Sequence, residues 1–179
     1  AQNDFSQAQA KLHYLEGMAD HHSELLIARA TLLMHQGKTH RALKLLDDAL
    51  ARAEDPVEVL QQIVDAHMGQ GDYHHAAAAL ERLVDLEEEL EDSSVYQLAL
   101  CLDFTHEYDK GLALFTKLIE REPYNALLWY QKGAFFLRKG NEDQALESFD
   151  WATTADSSFH AAYFEKGRIH ERQDRLIEA

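Results

Sequence analysis

The chain has 179 residues and 46% of them are hydrophobic, so it can bury a core and does not have the composition of a disordered tail. Its 17 basic and 32 acidic residues give a formal net charge of −15, which opposes contact with nucleic acid phosphates and predicts no nucleic acid partner. The single cysteine excludes an internal disulfide, and no apolar run approaches the roughly 20 residues that span a bilayer, so we expect no membrane insertion.

A pattern of small and large apolar residues recurs along the chain with a period of 34 or 35 residues. Within each unit the apolar positions are 3, 4 or 7 residues apart, which places them on one face of a helix. Each unit holds two such segments, so the pattern predicts one array of antiparallel helix pairs. The predicted units are a half unit at 1–22 (a second helix), full units at 23–56, 57–91, 92–125 and 126–159, and a half unit at 160–179 (a first helix).

Turn and cap residues mark the helix ends within these units. Gly37, Gly71 and Gly140 occupy the same position in three units, and we expect them in the turn between the two helices of each unit. Asn141, followed three residues later by Gln144, predicts a capped helix start. No segment has the alternation of a strand, so the sequence predicts an all-α fold.

The unit at 126–159 carries the clearest motif, with five characteristic residues: Trp129, Gly133, Phe136, Ala145 and Phe149. This pattern resembles the tetratricopeptide repeat family, whose unit reads W-x2-L-G-x2-Y, then A-x3-F, then Pro. Lys132 departs from the family at its Leu position and Ser157 at its Pro position. The resemblance covers almost the whole chain, is closest to bacterial tandem arrays, and implies a right-handed α-α superhelix, or solenoid.

The resemblance also implies that the first helix of each unit lines a concave groove that binds a protein or peptide. The candidate groove residues are Gln61, Gln62, Asp65, Tyr96, Gln97, Tyr130, Gln131, Arg138, Phe164 and Arg168. We expect the column of Gln62, Gln97 and Gln131 to be solvent-accessible and to hydrogen-bond a peptide backbone beside apolar seats. The alternative is that the aromatic residues only fill the interface between helices.

Two further surface features are predicted near the end of the chain. The arginines at 138, 168 and 172 form a local positive cluster that can receive an acidic segment. Trp151 stands where other units have polar residues or a tyrosine, so we expect it to be exposed. An exposed tryptophan favours a contact surface, and the alternative is a lone exposed apolar residue, which is common.

No residue pattern indicates catalysis, a metal ion or a cofactor. The chain has no Gly-rich phosphate loop and no nucleophile elbow, and Cys101 lies in an apolar helix where a buried, inert thiol is expected. Neighbouring histidines on a helix point about 100° apart, so adjacent pairs are poor metal ligands. We interpret the paired histidines as solvated surface residues and two others as packing residues: His21, His22, His74 and His75 in the pairs, and His67 and His170 in the packing.

These observations predict a non-catalytic protein–protein interaction scaffold that binds a protein or peptide in its groove. An alternative is a regulatory or substrate-docking segment of a larger enzyme, because the chain starts without Met and resembles part of a longer protein. We expect the cytoplasm, with the periplasm as the alternative if a signal peptide preceded these residues. The half units at the two ends predict self-association through Leu12, Leu15, Tyr163 and Ile177.

Overall fold

The computed structural model describes residues 22–173, and within that range it contains nine α-helices of 12 to 14 residues and no β-strand. The predicted all-α fold is therefore confirmed. The chain divides into two compact units, Ala1–Leu86 and Glu87–Ala179. No helix in the described range is long and apolar enough to cross a bilayer. Predictions that concern Leu12, Leu15 and Ile177 fall outside the described residues.

The first unit contains two helix pairs, which are α1 (His22–His35), α2 (Thr39–Leu50), α3 (Val57–Gln70) and α4 (Tyr73–Leu86). Turns of a few residues make the partners of each pair antiparallel. The first helix of one pair also packs on the first helix of the next, α1 on α3, and α2 packs on α3. In the part of this unit that the structure describes, the buried core side chains are aliphatic, and they include Leu46, Leu60, Val64, Leu80 and Leu83.

The second unit contains five helices: α5 (Asp92–Phe104), α6 (Tyr108–Arg121), α7 (Ala126–Arg138), α8 (Glu142–Ala155) and α9 (His160–Arg172). Consecutive helices pack on one another, and α5 also packs on α7. The first helices of two successive repeats, α5 and α7, therefore lie side by side, as in a helical-repeat solenoid. Two phenylalanines with no exposed surface, Phe115 and Phe149, anchor this core.

The predicted turn glycines are confirmed by their backbone angles. Gly37, Gly71 and Gly140 have φ values of 71°, 72° and 75°. Glycine adopts this left-handed conformation without the steric cost that a Cβ imposes. Each glycine ends a first helix, and its N–H bonds back to a carbonyl three residues earlier, as Gly140 does to Leu137 at 2.9 Å. The predicted cap is also present, since Asn141 Oδ1 accepts a hydrogen bond from the Gln144 N–H at 3.3 Å.

The fourth turn of this kind has a histidine where the others have glycine. His106 has a φ of 57° and is the one non-glycine residue with positive φ in the described range. Its side chain offsets part of the strain, because its Nδ1 lies 2.8 Å from the hydroxyl of Tyr108. A left-handed conformation costs a non-glycine residue roughly 1–2 kcal/mol.

Replacement of His106 with glycine should therefore stabilise the second unit by about 1 kcal/mol, after the lost contact with Tyr108 and the freer unfolded backbone are subtracted. The converse variant, Gly140→Ala, should destabilise the same unit by a similar amount. Denaturant unfolding of both variants measures this. A loss of stability in His106→Gly would show that the histidine contact outweighs the backbone strain.

The thiol of Cys101 is buried in α5, as expected. Burial raises the pKa of Cys101 to about 11, because the apolar surroundings disfavour the thiolate. The thiol is therefore protonated at neutral pH, which is the state of an inert structural cysteine.

Candidate functional site

A depression of about 220 Å³ lies between α5 and α7 in the second unit. Helix α5 turns Val95, Leu98 and Leu102 into the core, where none has exposed surface. The opposite face of the same helix is consequently left open. Tyr96 and Leu100, one turn apart on that face, line the depression and are 53% and 43% exposed. This arrangement leaves a strip of apolar surface on a first helix, where the groove was predicted.

A bidentate ion pair closes one side of this depression. Arg138 of α7 donates from Nε and Nη2 to the two carboxylate oxygens of Asp103 on α5, at 2.8 and 3.0 Å. The hydrogen bonds and charge of Asp103 raise the pKa of Arg138. The two-point geometry holds both side chains in fixed orientations. The depression thus combines an apolar floor with a fixed polar edge.

A second depression, of about 370 Å³, lies between α7 and α9. Ala134 and Arg138 line both depressions, so the two adjoin along α7. Its lining is more polar and includes Glu165, Arg168 and Arg172. The two depressions together form what we call the α5–α7–α9 groove.

Each of the three arginines in the predicted positive cluster already contacts a carboxylate, and binding of an acidic segment by this cluster stays a prediction. Arg138 binds Asp103 as described, and Arg168 Nη1 lies 3.1 Å from Glu165. Arg172 Nε lies 2.8 Å from Glu142, and the hydrogen bond from the Gln173 amide, together with that from Arg172, holds the pKa of the Glu142 carboxyl below its ordinary value. In a chain with an excess of acidic residues, carboxylates on the same helix or on a neighbouring helix pair with these cations.

The predicted column of accessible glutamines is wrong at Gln131, which is only 7% exposed. Gln131 follows the buried Leu128 by three residues and precedes the buried Phe135 by four, so all three share the inward face of α7. Gln97 is half-buried on α5. In the first unit Gln62 is half-buried and accepts a hydrogen bond from the Thr31 hydroxyl at 3.3 Å.

The aromatic column divides into exposed and packed members. Tyr96 and Phe164 are 53% and 66% exposed. Tyr130 is half-buried, and its ring centroid lies 5.6 Å from that of Phe149 and 5.4 Å from that of Phe159. Burial, together with the negative charge of Glu165, raises the pKa of Tyr130. Tyr130 therefore packs in a helix interface, as the alternative reading expects, but it also lines the second depression, so its contact with a partner stays a prediction.

The remaining predicted positions are exposed or half-buried. Asp65 is exposed on α3 of the first unit and Gln61, on the same helix, is half-buried. Tyr163 on α9 is 48% exposed, as expected of an uncovered face, and self-association through it stays a prediction.

Trp151 is 49% exposed, which confirms the prediction of its exposure. Its ring stacks on that of Trp129, with centroids 5.5 Å apart and planes 20° from parallel, a contact that the sequence pattern did not predict. Trp129 is itself held by a hydrogen bond from its Nε1 to the carbonyl oxygen of Pro123, at 2.8 Å. The stacked pair is a rigid aromatic surface outside the α5–α7–α9 groove.

Comparison with protein-family models finds three that match, each described as "Tetratricopeptide repeat". One model matches residues 1–58 and 136–179, which is more than half of the chain. The other two match residues 114–147 and 57–90. No curated protein sequence matches the chain.

Solved structures with the same fold include a crystal structure of MamA, at 19% identity and a TM-score of 0.66, covering 83% of this chain and 86% of that one. A MamA fragment from Desulfovibrio magneticus RS-1 is also 19% identical, with a TM-score of 0.66 and 89% of each chain covered. YrrB, described as a TPR protein with an unusual peptide-binding site, is 20% identical with a TM-score of 0.67, covering 92% of this chain and 84% of its own.

Proposed function

The chain belongs to the tetratricopeptide repeat family, and from that membership we propose that it is a non-catalytic scaffold that binds a protein or peptide. We place the partner in the α5–α7–α9 groove. A protein of the same fold, YrrB, is described as having a peptide-binding site, which supports this class of ligand. The proposed binding requires no cofactor and no catalytic residue.

The observation that carries the proposal is the exposed apolar strip of Tyr96 and Leu100 beside a fixed ion pair. Large apolar side chains that stand together on a helix, open to solvent, are favourable anchors for a partner. The bidentate pair of Arg138 and Asp103 offers polar groups to a partner without a change in rotamer. An extended or helical segment with apolar side chains one turn or one pleat apart fits this combination.

The groove also carries both signs of charge, so a strongly charged partner is not required. Arg168 and Glu165 stand next to each other on α9, and Arg172 binds Glu142 across to α8. A partner segment that is mostly apolar with a few polar groups would leave these pairs intact. Breaking a pair would leave one partly desolvated charge uncompensated.

A peptide-display selection against the whole chain tests the proposal. We expect selected peptides to contain an apolar anchor and to lose at least about tenfold in affinity when Tyr96→Ala or Leu100→Ala removes a seat, which is the size of a hot-spot effect. Both side chains are exposed, so the variants should keep their stability within about 0.5 kcal/mol. Fluorescence polarisation with labelled peptide gives the affinity.

Tyr124→Ala is the matched control, because Tyr124 is 84% exposed in the turn between α6 and α7 and lines neither depression. Its affinity for the peptides should equal that of the unaltered protein. If instead Trp151→Ala removes binding while Tyr96→Ala and Leu100→Ala do not, the partner contacts the stacked tryptophans and the groove is not the site.

A further inference from the structure

The turn between α3 and α4 brings together three side chains that can bind a metal ion. His67 stands in the last turn of α3, Asp72 lies in the turn, and His75 lies in the first turn of α4. One ligand atom from each lies within 4.8 Å of the other two. The Asp72 Oδ2 atom is 3.3 Å from Nδ1 of His67 and 2.8 Å from Nδ1 of His75.

The backbone of this turn holds the three residues in position. Gly71, with a φ of 72°, reverses the chain, and the Asp72 N–H then bonds to the His67 carbonyl at 2.9 Å. The Asp72 carboxylate accepts a hydrogen bond from the His75 N–H at 3.3 Å and so caps α4. The two imidazole rings stack with centroids 5.1 Å apart and planes 18° from parallel. The arrangement therefore exists before any ion is added.

The electrostatic state of the cluster suits a cation. The Asp72 carboxylate supplies a negative charge between the two imidazole nitrogens, at 3.3 Å from Nδ1 of His67 and 2.8 Å from Nδ1 of His75. The Nδ1 atom of His67 is buried and, within the described residues, has no hydrogen bond of good geometry. Its distance to Asp72 is short enough for an electrostatic contact only. A metal ion would give that nitrogen a ligand bond.

The other turns of this type show that the fold itself does not require these residues. No other repeat has this set: the same three positions are Leu33, Lys38 and Arg41, then Leu102, Glu107 and Lys110, then Phe136, Asn141 and Gln144, with a carboxylate only at Glu107 and no histidine. Each of these turns has the same backbone path. The His-Asp-His set is a property of one repeat.

We propose that His67, Asp72 and His75 bind one divalent transition-metal ion, with Zn²⁺ as the best fit to the ligand atoms. Two imidazoles and one carboxylate are a common zinc ligand set and leave a position open for water or a partner's side chain. Each ligand atom lies about 2.0–2.2 Å from a bound zinc ion, so two ligand atoms of one ion are less than twice that distance apart. The ligand atoms of this cluster lie within 4.8 Å of one another and must therefore approach somewhat more closely. The His75 side chain is 65% exposed and has room to rotate.

The interpretation of His75 as a solvated surface residue and His67 as a packing residue missed this set. Histidines that are adjacent on one helix point apart and are poor joint ligands. The relevant spacing is His-x4-Asp-x2-His, which spans the turn and joins two helices. A bound ion would join the end of α3 to the start of α4 and so stabilise the first unit.

Isothermal titration of the whole chain with ZnCl₂ tests the proposal, with any polyhistidine tag removed and a buffer that does not bind zinc. We expect one equivalent to bind and the melting temperature to rise with zinc. Loss of a group that only hydrogen-bonds a metal ligand costs about 10–100-fold in metal affinity, so loss of a ligand itself in His75→Ala should weaken binding by at least about tenfold. Asp72→Asn should do the same, while keeping the helix cap, because Asn caps as well as Asp.

His40→Ala is the matched control, since His40 is an exposed histidine at the second residue of α2 and is remote in sequence from the cluster. It should bind zinc as the unaltered chain does. Equal affinity in the unaltered chain and in His75→Ala would place the zinc on other histidines and overturn the proposal. Absence of binding by the unaltered chain would overturn it as well.

Discussion

Replacement of Phe149 with alanine should lower the free energy of unfolding of the second unit by about 3–5 kcal/mol, the usual cost of removing a buried aromatic ring. Phe149 has no exposed surface and belongs to the core cluster of α8 and α9. The ring centroids of Phe149 and Tyr130 lie 5.6 Å apart. The alanine variant would lose these contacts and leave a cavity that the surrounding helices fill only in part.

Both tryptophans of the chain, Trp129 and Trp151, lie in the second unit, so their fluorescence reports on this unit without a signal from the first. Guanidinium unfolding followed by tryptophan fluorescence gives the change in the free energy of unfolding. Phe164→Ala is the control, because Phe164 is 66% exposed and its loss should change stability by less than about 1 kcal/mol. Similar losses in the two variants would contradict the assigned core.

The sequence predicted the parts of the fold that depend on local pattern. Apolar residues at intervals of 3, 4 and 7 residues mark the buried face of each helix, and Phe149 of the motif at 126–159 is indeed fully buried. Glycine in the left-handed conformation has a simple steric cause, so the turns at Gly37 and Gly140 were predictable as well. His106 took the same conformation against its own preference, because the turn is imposed by the helices on either side.

The site depends on contacts between helices, and these could be predicted only in part. Gln131 was expected to face solvent, but its face of α7 is covered by neighbouring helices. The ion pair of Arg138 and Asp103 had a signal that was not used, since the two residues are 35 positions apart, close to one repeat, and thus neighbours on adjacent first helices. The tryptophan stack had no such signal, because neither helix by itself determines the angle at which the rings meet.

Gly133 should be intolerant of a side chain, for a reason that differs from that at the turn glycines. It lies within α7, and a Cβ built on it would stand 2.6 Å from Cε1 and 2.8 Å from Cδ1 of Phe149. Real Cβ atoms do not approach a ring this closely, so the ring or the helix must move. Gly133→Val should cost about 1–3 kcal/mol by overpacking, which exceeds the few tenths gained in helix propensity.

Gly167 is the matched control, because it occupies the same repeat position 34 residues later, within α9. Among the described residues, nothing lies within 4 Å of a Cβ built on it. Gly167→Ala should therefore stabilise the second unit by up to about 1 kcal/mol, since glycine is that much worse than alanine inside a helix. Two glycines at one repeat position should thus respond to a side chain with opposite signs, and tryptophan fluorescence during unfolding measures both.

A double variant tests whether the ring of Phe149 is the cause of the intolerance at Gly133. The repeat at 57–91 has Val64 and Leu80 at these two positions, and both are fully buried. Gly133→Val combined with Phe149→Leu copies that pair, with a larger residue on one helix and a smaller one on the other. The two single changes should each destabilise, and the double variant should be more stable than their sum predicts by at least about 1 kcal/mol, as expected of side chains in contact. If the changes in the free energy of unfolding are strictly additive, the valine at position 133 clashes with some group other than the ring of Phe149. The volume of Phe149 would then not be the reason that position 133 is a glycine.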